Sequence, residues 1–493
     1  MTDTLTRLSP VRHPDRFFIG GNWAKPSASS TINVVDSASE EVFLTVAEAQ
    51  AEDINAAVAA AREAFDNGPW PRMSPQERGV YLNKIADAIA SRADALADSW
   101  TQESGVLRSM STHSHKGLAG NFRFYAGLGE TYGWVEPRTS AFGQPSLLVR
   151  EAVGVVAAIV PWNAPAQLMV QKVAPALIAG CTVIVKASPE APSAPYMLAE
   201  ICEEIGLPAG VFNVVTADRE VSELLVRHPG VDKVSFTGST AAGRKIGSIC
   251  GERVARFTLE LGGKSPAIIL DDYDLAKAAA TLAGATPVMT GQVCASLTRI
   301  IVSEKRHDDF VDALSAVFQQ IKVGDPFDPA SQMGPLAIER QRDRVEKMIE
   351  IGKAEGARLA CGGGRPSHLN RGFYIEPTVF ANVDNKSTIA REEIFGPVVS
   401  VIAAANEEEA IAIANDSEYG LNSSVFTNDA DRAYAVGRRL RAGTVGHNAF
   451  KADFSIAFGG FKQSGIGREG GVEGLLPYLE TKTMIFETAP NVG

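Results

Sequence analysis

The chain has 493 residues, 45% hydrophobic and 21% charged, the balance of an ordinary globular protein with a sizeable core. At roughly 150 residues per domain this length allows about three domains. A formal net charge of -11 argues against nucleic acid or an anionic membrane as the main partner. The histidines are scattered, so no metal site is expected. The cysteines, Cys181, Cys202, Cys250, Cys294 and Cys361, are widely spaced with no CxxC, which fits free thiols in a reducing compartment. The first residues, MTDTLTRLSPVRHPDRF, hold charges and prolines and no apolar core, and Val153–Val160 and Val173–Val185 are too short and interrupted to span a bilayer. The expectation is a cytoplasmic protein.

In chain order, a short hairpin is predicted around Phe17–Trp23, turning at Gly20-Gly21. Asp53–Asp66 reads as a helix, with Ile54, Ala57, Val58, Ala61 and Phe65 on one stripe. A second helix starts at Ser74, which with Pro75 and Glu77 forms a capping box, and is expected to run to about Gln102. From Val153 short apolar β-rich runs alternate with helical segments: 153–160, 181–186, 211–215 and 231–236, with helices from about Pro165, Pro195 and Ser239. This βαβ rhythm predicts a parallel sheet covered by helices on both faces. A second α/β run begins near Ser265, with strands at 267–270, 299–303, 398–403 and 423–427, a helix over about Lys305–Lys322 and a charged helix over 335–355. The boundary between the two falls near Glu260–Gly263.

Gly465–Gly470 matches GxGxxG. No clear strand precedes it and too little chain follows for a βαβ unit, so it reads as a glycine-rich loop and the phosphate site is expected elsewhere. Phe236-Thr237-Gly238-Ser239-Thr240 closes a strand and opens a helix; Ser239 either caps that helix or bonds a phosphate at its N-terminus. Pro161-Trp162-Asn163 ends the strand beginning at Val153, where ligands of open parallel sheets bind. Asn163 is a neutral donor suited to an oxyanion, or a turn residue. Lys186 ends the next strand at the same edge, placed for ribose hydroxyls or simply for solvent. Glu260 lies between Leu259 and Leu261, an apolar setting that raises a carboxyl pKa toward the range of a general base; the alternative is a solvated edge residue. Glu392–Pro397 is a similar acidic–aromatic turn. Cys294, within TGQVCASLTR (290–299), is flanked by small residues that permit close approach. A free thiol titrates at about 8.5 and needs help to react near neutral pH. Taken alone it reads more often as a buried structural cysteine at a loop–helix junction.

PWN, FTGS, LELGGKSP, GQVC and EEIFGP, in this order and at these separations, resemble the aldehyde dehydrogenase superfamily over nearly the whole chain. The resemblance implies an α/β fold: a Rossmann-type cofactor domain (1–133 and 153–260), an α/β catalytic domain (261–470) and a small β oligomerisation arm (134–152 and 471–493). It implies that Cys294 attacks an aldehyde to form a thiohemiacetal. Asn163 and the Cys294 N–H hold the oxyanion, hydride passes to nicotinamide, and Glu260 activates the water that hydrolyses the thioester. Cofactor binding would fall to Pro161, Trp162, Lys186, Glu190, Gly238, Ser239, Leu261, Glu393 and Phe395. The implied cofactor is NAD, with NADP open, and the implied partners are a small-molecule aldehyde and further copies of the chain as a homodimer or homotetramer. No metal is implied.

Several positions depart from the family pattern. Met289 stands two residues before Gly291, where the family usually has Asn, so loop packing must differ. Pro189 stands where many NAD-preferring members carry Glu, and Glu190 comes one place later, which leaves NAD against NADP open. The stretch 216–222 lacks the glycines often found there. Ala164, where a bulky aromatic is common in acetaldehyde-type members, together with Gln167 and Leu168, points to a roomier tunnel and a bulky apolar aldehyde. The alternatives are a CoA-acylating enzyme, disfavoured by Glu260, a non-catalytic family member, and a thiol hydrolase unrelated to redox.

Overall fold

The computed structural model describes residues 10–491. Strands Phe17–Ile19 and Asn22–Ala24 pair antiparallel across Gly20 and Gly21, both at positive φ, as the Gly-Gly turn requires. The helix Ala51–Asp66 buries Ile54, Ala57, Val58 and Ala61. Ser74 and Glu77 form the reciprocal capping box on Pro75–Ser91. The long helix expected to about Gln102 is instead two, Pro75–Ser91 and Ala93–Ser104, because Arg92 leaves helical geometry (φ -110, ψ 12). Its guanidinium is drawn to Glu204 at 2.6 Å, a distant partner that local periodicity does not reveal. The helix expected over Lys305–Lys322 covers His307–Phe318 after a short 3-10 turn, and the charged helix is Glu339–Ala354.

The first sheet has eight strands. Its five parallel strands, in chain order Val155–Ile159, Thr182–Ala187, Phe212–Thr216, Lys233–Thr237 and Arg256–Glu260, lie with the third at one side and the fifth at the other, so the first and fourth are neighbours. The connections reverse direction between Val155–Ile159 and Lys233–Thr237. That is the switch point of a doubly wound sheet, where a crevice opens outside the carboxyl ends of the strands. Side chains alternate between faces: Val156, Ala158, Val183 and Val185 enter one core, and Val155, Ala157, Ile159 and Ile184 the other.

The second sheet has seven strands, parallel except for Arg358–Cys361 at one edge, with Ser265–Ile269 and Leu297–Ser303 near its middle. The chain passes between the sheets over Glu260–Ser265. Gly465–Ile466 pairs antiparallel with Arg256–Glu260, so this stretch belongs to the edge of the first sheet rather than to the second α/β run. A third, three-stranded sheet joins Val135–Thr139, Pro145–Ala152 and Leu479–Ile485, all antiparallel. Among the described residues no helix is long and apolar enough to cross a membrane.

Candidate active site

The two large sheets meet with opposite ends. Asn163 follows the carboxyl end of Val155–Ile159, Ser239 follows Lys233–Thr237, and Glu260 closes Arg256–Glu260. Cys294 lies just before the amino end of Leu297–Ser303, and Glu393 and Phe395 just before that of Val398–Ala404. These side chains converge on one cleft of about 730 Å³, lined by Pro161, Trp162, Asn163, Gly238, Ser239, Glu260, Leu261, Cys294, Glu393 and Phe395. A slightly larger hollow of about 830 Å³ over Phe318–Pro377 contains no cysteine and none of these residues.

Cys294 is the one cysteine among the described residues that is not buried. Burial of its sulfur, with Glu393 and Glu260 nearby, pushes the thiol well above its ordinary value, only partly offset by the N–H groups of Ala295 and Cys294. It is a protonated thiol at neutral pH and needs a base. Glu260 has the environment of one. It is 2% exposed, and both carboxylate oxygens lack a hydrogen-bond partner. Burial, then Glu469, raises its pKa well above 4.5, against the opposing charges of Lys172 and Arg468. The Asn163 amide donates one bond to the carbonyl of Gln292 at 2.9 Å, which ties it to the cysteine loop. An amide carries a second N–H hydrogen, so one donor remains for a ligand.

Beneath Glu260 lies a fully buried ion pair. Lys172 Nζ donates to Glu469 and, at 2.7 Å, to the hydroxyl of Thr237. The flanking loop approaches Glu260 so closely that a Cβ on Gly459 would sit 2.6 Å from its Oε1. Cys294 also packs, with Val293, Phe450 and Phe454, against a buried apolar cluster of Ala295, Leu421 and Phe458. The Phe454 and Phe458 rings are 4.3 Å apart.

The cofactor side is polar. Ser239 caps the helix Thr240–Arg253, accepting from Ala242, with that N-terminus opening into the cleft. Trp162 meets Phe395 edge-on at 5.4 Å. Glu393 accepts from the Gly263 N–H at 3.1 Å, and burial pushes its carboxyl up to about 7. Arg219, Arg244, Arg340 and Arg344 also line the cleft. A helix N-terminus, four guanidiniums and a carboxylate placed for hydroxyls suit a dinucleotide with a pyrophosphate and riboses. Lys186 and Glu190 are not part of this lining. Burial lowers Lys186 to about 8, opposed by Glu190 and Asp218. Glu190 is held by the Ser188 hydroxyl and by Arg340.

Sequence reasoning missed Lys172, Glu469, Gln292 and the phenylalanine cluster. Lys172 lies inside a helix with no motif, and Glu469 lies inside the glycine-rich run that reads as a loop. Only the packing shows that they face Glu260. Among the described residues no group of three or more His, Cys, Asp or Glu is arranged to hold a metal ion.

The sequence profile of the aldehyde dehydrogenase family matches residues 23–484. A geranial dehydrogenase of Castellaniella defragrans is 44% identical, over 95% of this chain and 98% of that protein. An aldehyde dehydrogenase of Mycobacterium tuberculosis, solved with NAD+, superposes with a TM-score of 0.93 at 46% identity, covering 96% of this chain and 98% of that one. A cysteine-to-alanine variant of aldehyde dehydrogenase C from Pseudomonas syringae, solved with NAD+ and octanal, has a TM-score of 0.93 at 39% identity and 99% coverage of both chains. The chain belongs to the aldehyde dehydrogenase family and is an NAD(P)-dependent aldehyde dehydrogenase.

Proposed function

We propose that this enzyme oxidises a bulky, apolar aldehyde to its carboxylate, with Cys294 as nucleophile, Asn163 as oxyanion donor and Glu260 as general base. One observation carries the reading: these three side chains line one cleft, and Cys294 packs into an apolar cluster with Leu421, Phe450, Phe454 and Phe458. Glu260, buried and without a hydrogen-bond partner, takes the proton of the Cys294 thiol. The sulfur adds to the aldehyde carbon. The free N–H of the Asn163 amide and the Cys294 main-chain N–H hold the resulting oxyanion. When bound, NAD+ supplies the hydride acceptor that turns this adduct into a thioester. Glu260 gives the thiol proton up to solvent and then removes a proton from water; the hydroxide adds to the thioester carbon, the sulfur leaves and takes that proton back from Glu260, which regenerates the thiol and releases the acid. Pro161, Trp162, Gly238, Ser239, Leu261, Glu393 and Phe395 hold the cofactor, with Ser239 and Trp162 at the pyrophosphate and Glu393 at the nicotinamide ribose. Lys186 and Glu190, which lie outside this lining, serve the adenosine ribose.

A geranial dehydrogenase and an enzyme solved with octanal lend support to an apolar substrate, while other relatives are betaine aldehyde dehydrogenases. Residues 1–133 with 153–260 act as the cofactor domain and 261–470 as the catalytic domain. Segments 134–152 and 471–493 form the assembly arm, where Val135, Met484 and Ile485 are exposed, in support of a homodimer or homotetramer. Free cysteines support a cytoplasmic setting.

The test is an aldehyde panel with NAD and NADP, product analysis with and without CoA, and light scattering. Expected are higher kcat/KM on a ten-carbon enal than on acetaldehyde, a free acid as product, and no monomer at micromolar concentration. A clear acetaldehyde preference removes the bulky-substrate reading, and an acyl-CoA product removes hydrolysis.

A further inference from the structure

The loop that carries Asn163 is held by side chains from a helix outside the site. The helix Ala93–Ser104 presents Trp100 and Ser104 one turn apart on the same face. Trp100 Nε1 donates to the main-chain carbonyl of Asn163 at 2.7 Å, and Ser104 Oγ donates to that of Trp162 at 2.7 Å. Both donors are buried, at 4% and 1% exposure. The two carbonyls lie before the helix Pro165–Ala179, whose entry residue Ala164 is non-helical (φ -144, ψ 62) and supplies no side-chain cap. They are therefore outside the helical ladder and need other partners. On the far side of the loop, the Asn163 amide reaches the Gln292 carbonyl, and the Gln292 side chain accepts from the Ala337 N–H at 2.9 Å. Asn163 is thus gripped at its main chain by one helix and at its side chain by the cysteine loop.

We propose that Trp100 and Ser104 are positioning residues for the reaction: they fix the 162–163 peptides so that the remaining N–H of the Asn163 amide stays aimed at the oxyanion. This rests on the reading of Asn163 as the oxyanion donor. Neither residue lines the cleft, so their effect is transmitted through the loop. Displacement of a catalytic group by about 1 Å costs on the order of 100-fold in rate, so loosening one of two clamps should cost about 10-fold.

The experiment measures the pre-steady-state burst of NADH on the full-length enzyme for Ser104→Ala, Trp100→Phe, Asn163→Ala and the two double variants. Fluorescence titration gives the Kd for NAD, and thermal unfolding gives the Tm. Expected are burst rates about 10-fold lower for S104A and W100F, with the Kd for NAD unchanged. Either change added to N163A should have no further effect, since the group being positioned is gone. A purely structural helix predicts a lower Tm with an unchanged burst rate in the single variants, or losses that add fully to that of N163A. Either of these overturns the clamp. If N163A itself bursts at the parent rate, the oxyanion reading fails and the clamp falls with it. If N163A is slow while S104A and W100F are normal, only the clamp fails. Should W100F fail to fold, S104A with Ser104→Thr, which keeps the hydroxyl and should restore the burst, decides the matter.

Discussion

The side-chain amide of Asn163 donates to the main-chain carbonyl of Gln292 at 2.9 Å, joining residues 129 positions apart in sequence and two separate sheets. Because this bond occupies one N–H, the amide cannot rotate freely, and its other N–H is presented in a fixed direction. Asn163→Ala should slow the first NADH burst by about 100-fold to 1,000-fold, the usual loss for one oxyanion donor, and leave the Kd for NAD unchanged. Stopped-flow absorbance at 340 nm checks this.

The acid limb of the pH profile should follow Glu260. Burial and the neighbouring Glu469 hold its carboxyl well above the usual carboxylate range, so acidification protonates it, and ends its service as a base, at a higher pH than for a solvent-exposed carboxyl. The Cys294 thiol is also pushed up, so its thiolate fraction grows on the alkaline side. Activity should therefore climb with pH through neutrality. Glu260→Gln should remove the Glu260 limb and lower kcat by about 100-fold or more. A parent profile that is flat from about pH 6 to about pH 9 would refute this assignment.

Glu103 gives a stability prediction of definite sign. Burial pushes its carboxyl from 4.5 up to about 8, against the opposing bonds from Ser193. The folded value is thus above the unfolded one, so its contribution is most favourable below about 4.5 and is lost as pH rises through about 8. Glu103→Gln, which keeps an acceptor for the Ser193 N–H, should raise the Tm above that of the parent at alkaline pH and lose that advantage in mild acid. Thermal unfolding at the two pH extremes checks both halves.

Met289 sits in the left-handed region (φ 52, ψ 31), and so does its neighbour Thr290. Side chains that are not Gly or Asn pay about 1 kcal/mol or more there. Met289→Asn should stabilise the loop by about that amount, read as a higher Tm, with its main-chain carbonyl still able to accept from Gln292 at 3.0 Å. A lower Tm would show that the methionine side chain contributes packing that outweighs the strain.

Lys172 and Glu469 are both essentially out of solvent. Removing one partner leaves a buried charge unpaired, at a cost of about 3–5 kcal/mol. Lys172→Met should lower the Tm strongly, and adding Glu469→Gln should recover much of the loss, because two neutral groups no longer leave an uncompensated charge.

The sequence alone determined the element pattern and the stretches with chemical character. Capping at Ser74, the Gly20-Gly21 turn and the βαβ rhythm are local signals, since each depends on residues a few positions apart. PWN, FTGS, LELGGKSP, GQVC and EEIFGP were legible for the same reason. What the tertiary structure decided is everything that depends on distant segments meeting. It broke the 75–102 stretch at Arg92, where the backbone leaves helical geometry. It placed Lys172 and Glu469 under Glu260, and it set Trp100 and Ser104 against the carbonyls of 162 and 163. It brought the carboxyl ends of one sheet to the amino ends of the other, so that Cys294, Asn163 and Glu260 share one cleft. Hydrogen bonds and charge pairs between remote residues act over a few ångströms in space and leave no periodicity along the chain, so only the folded arrangement reveals them.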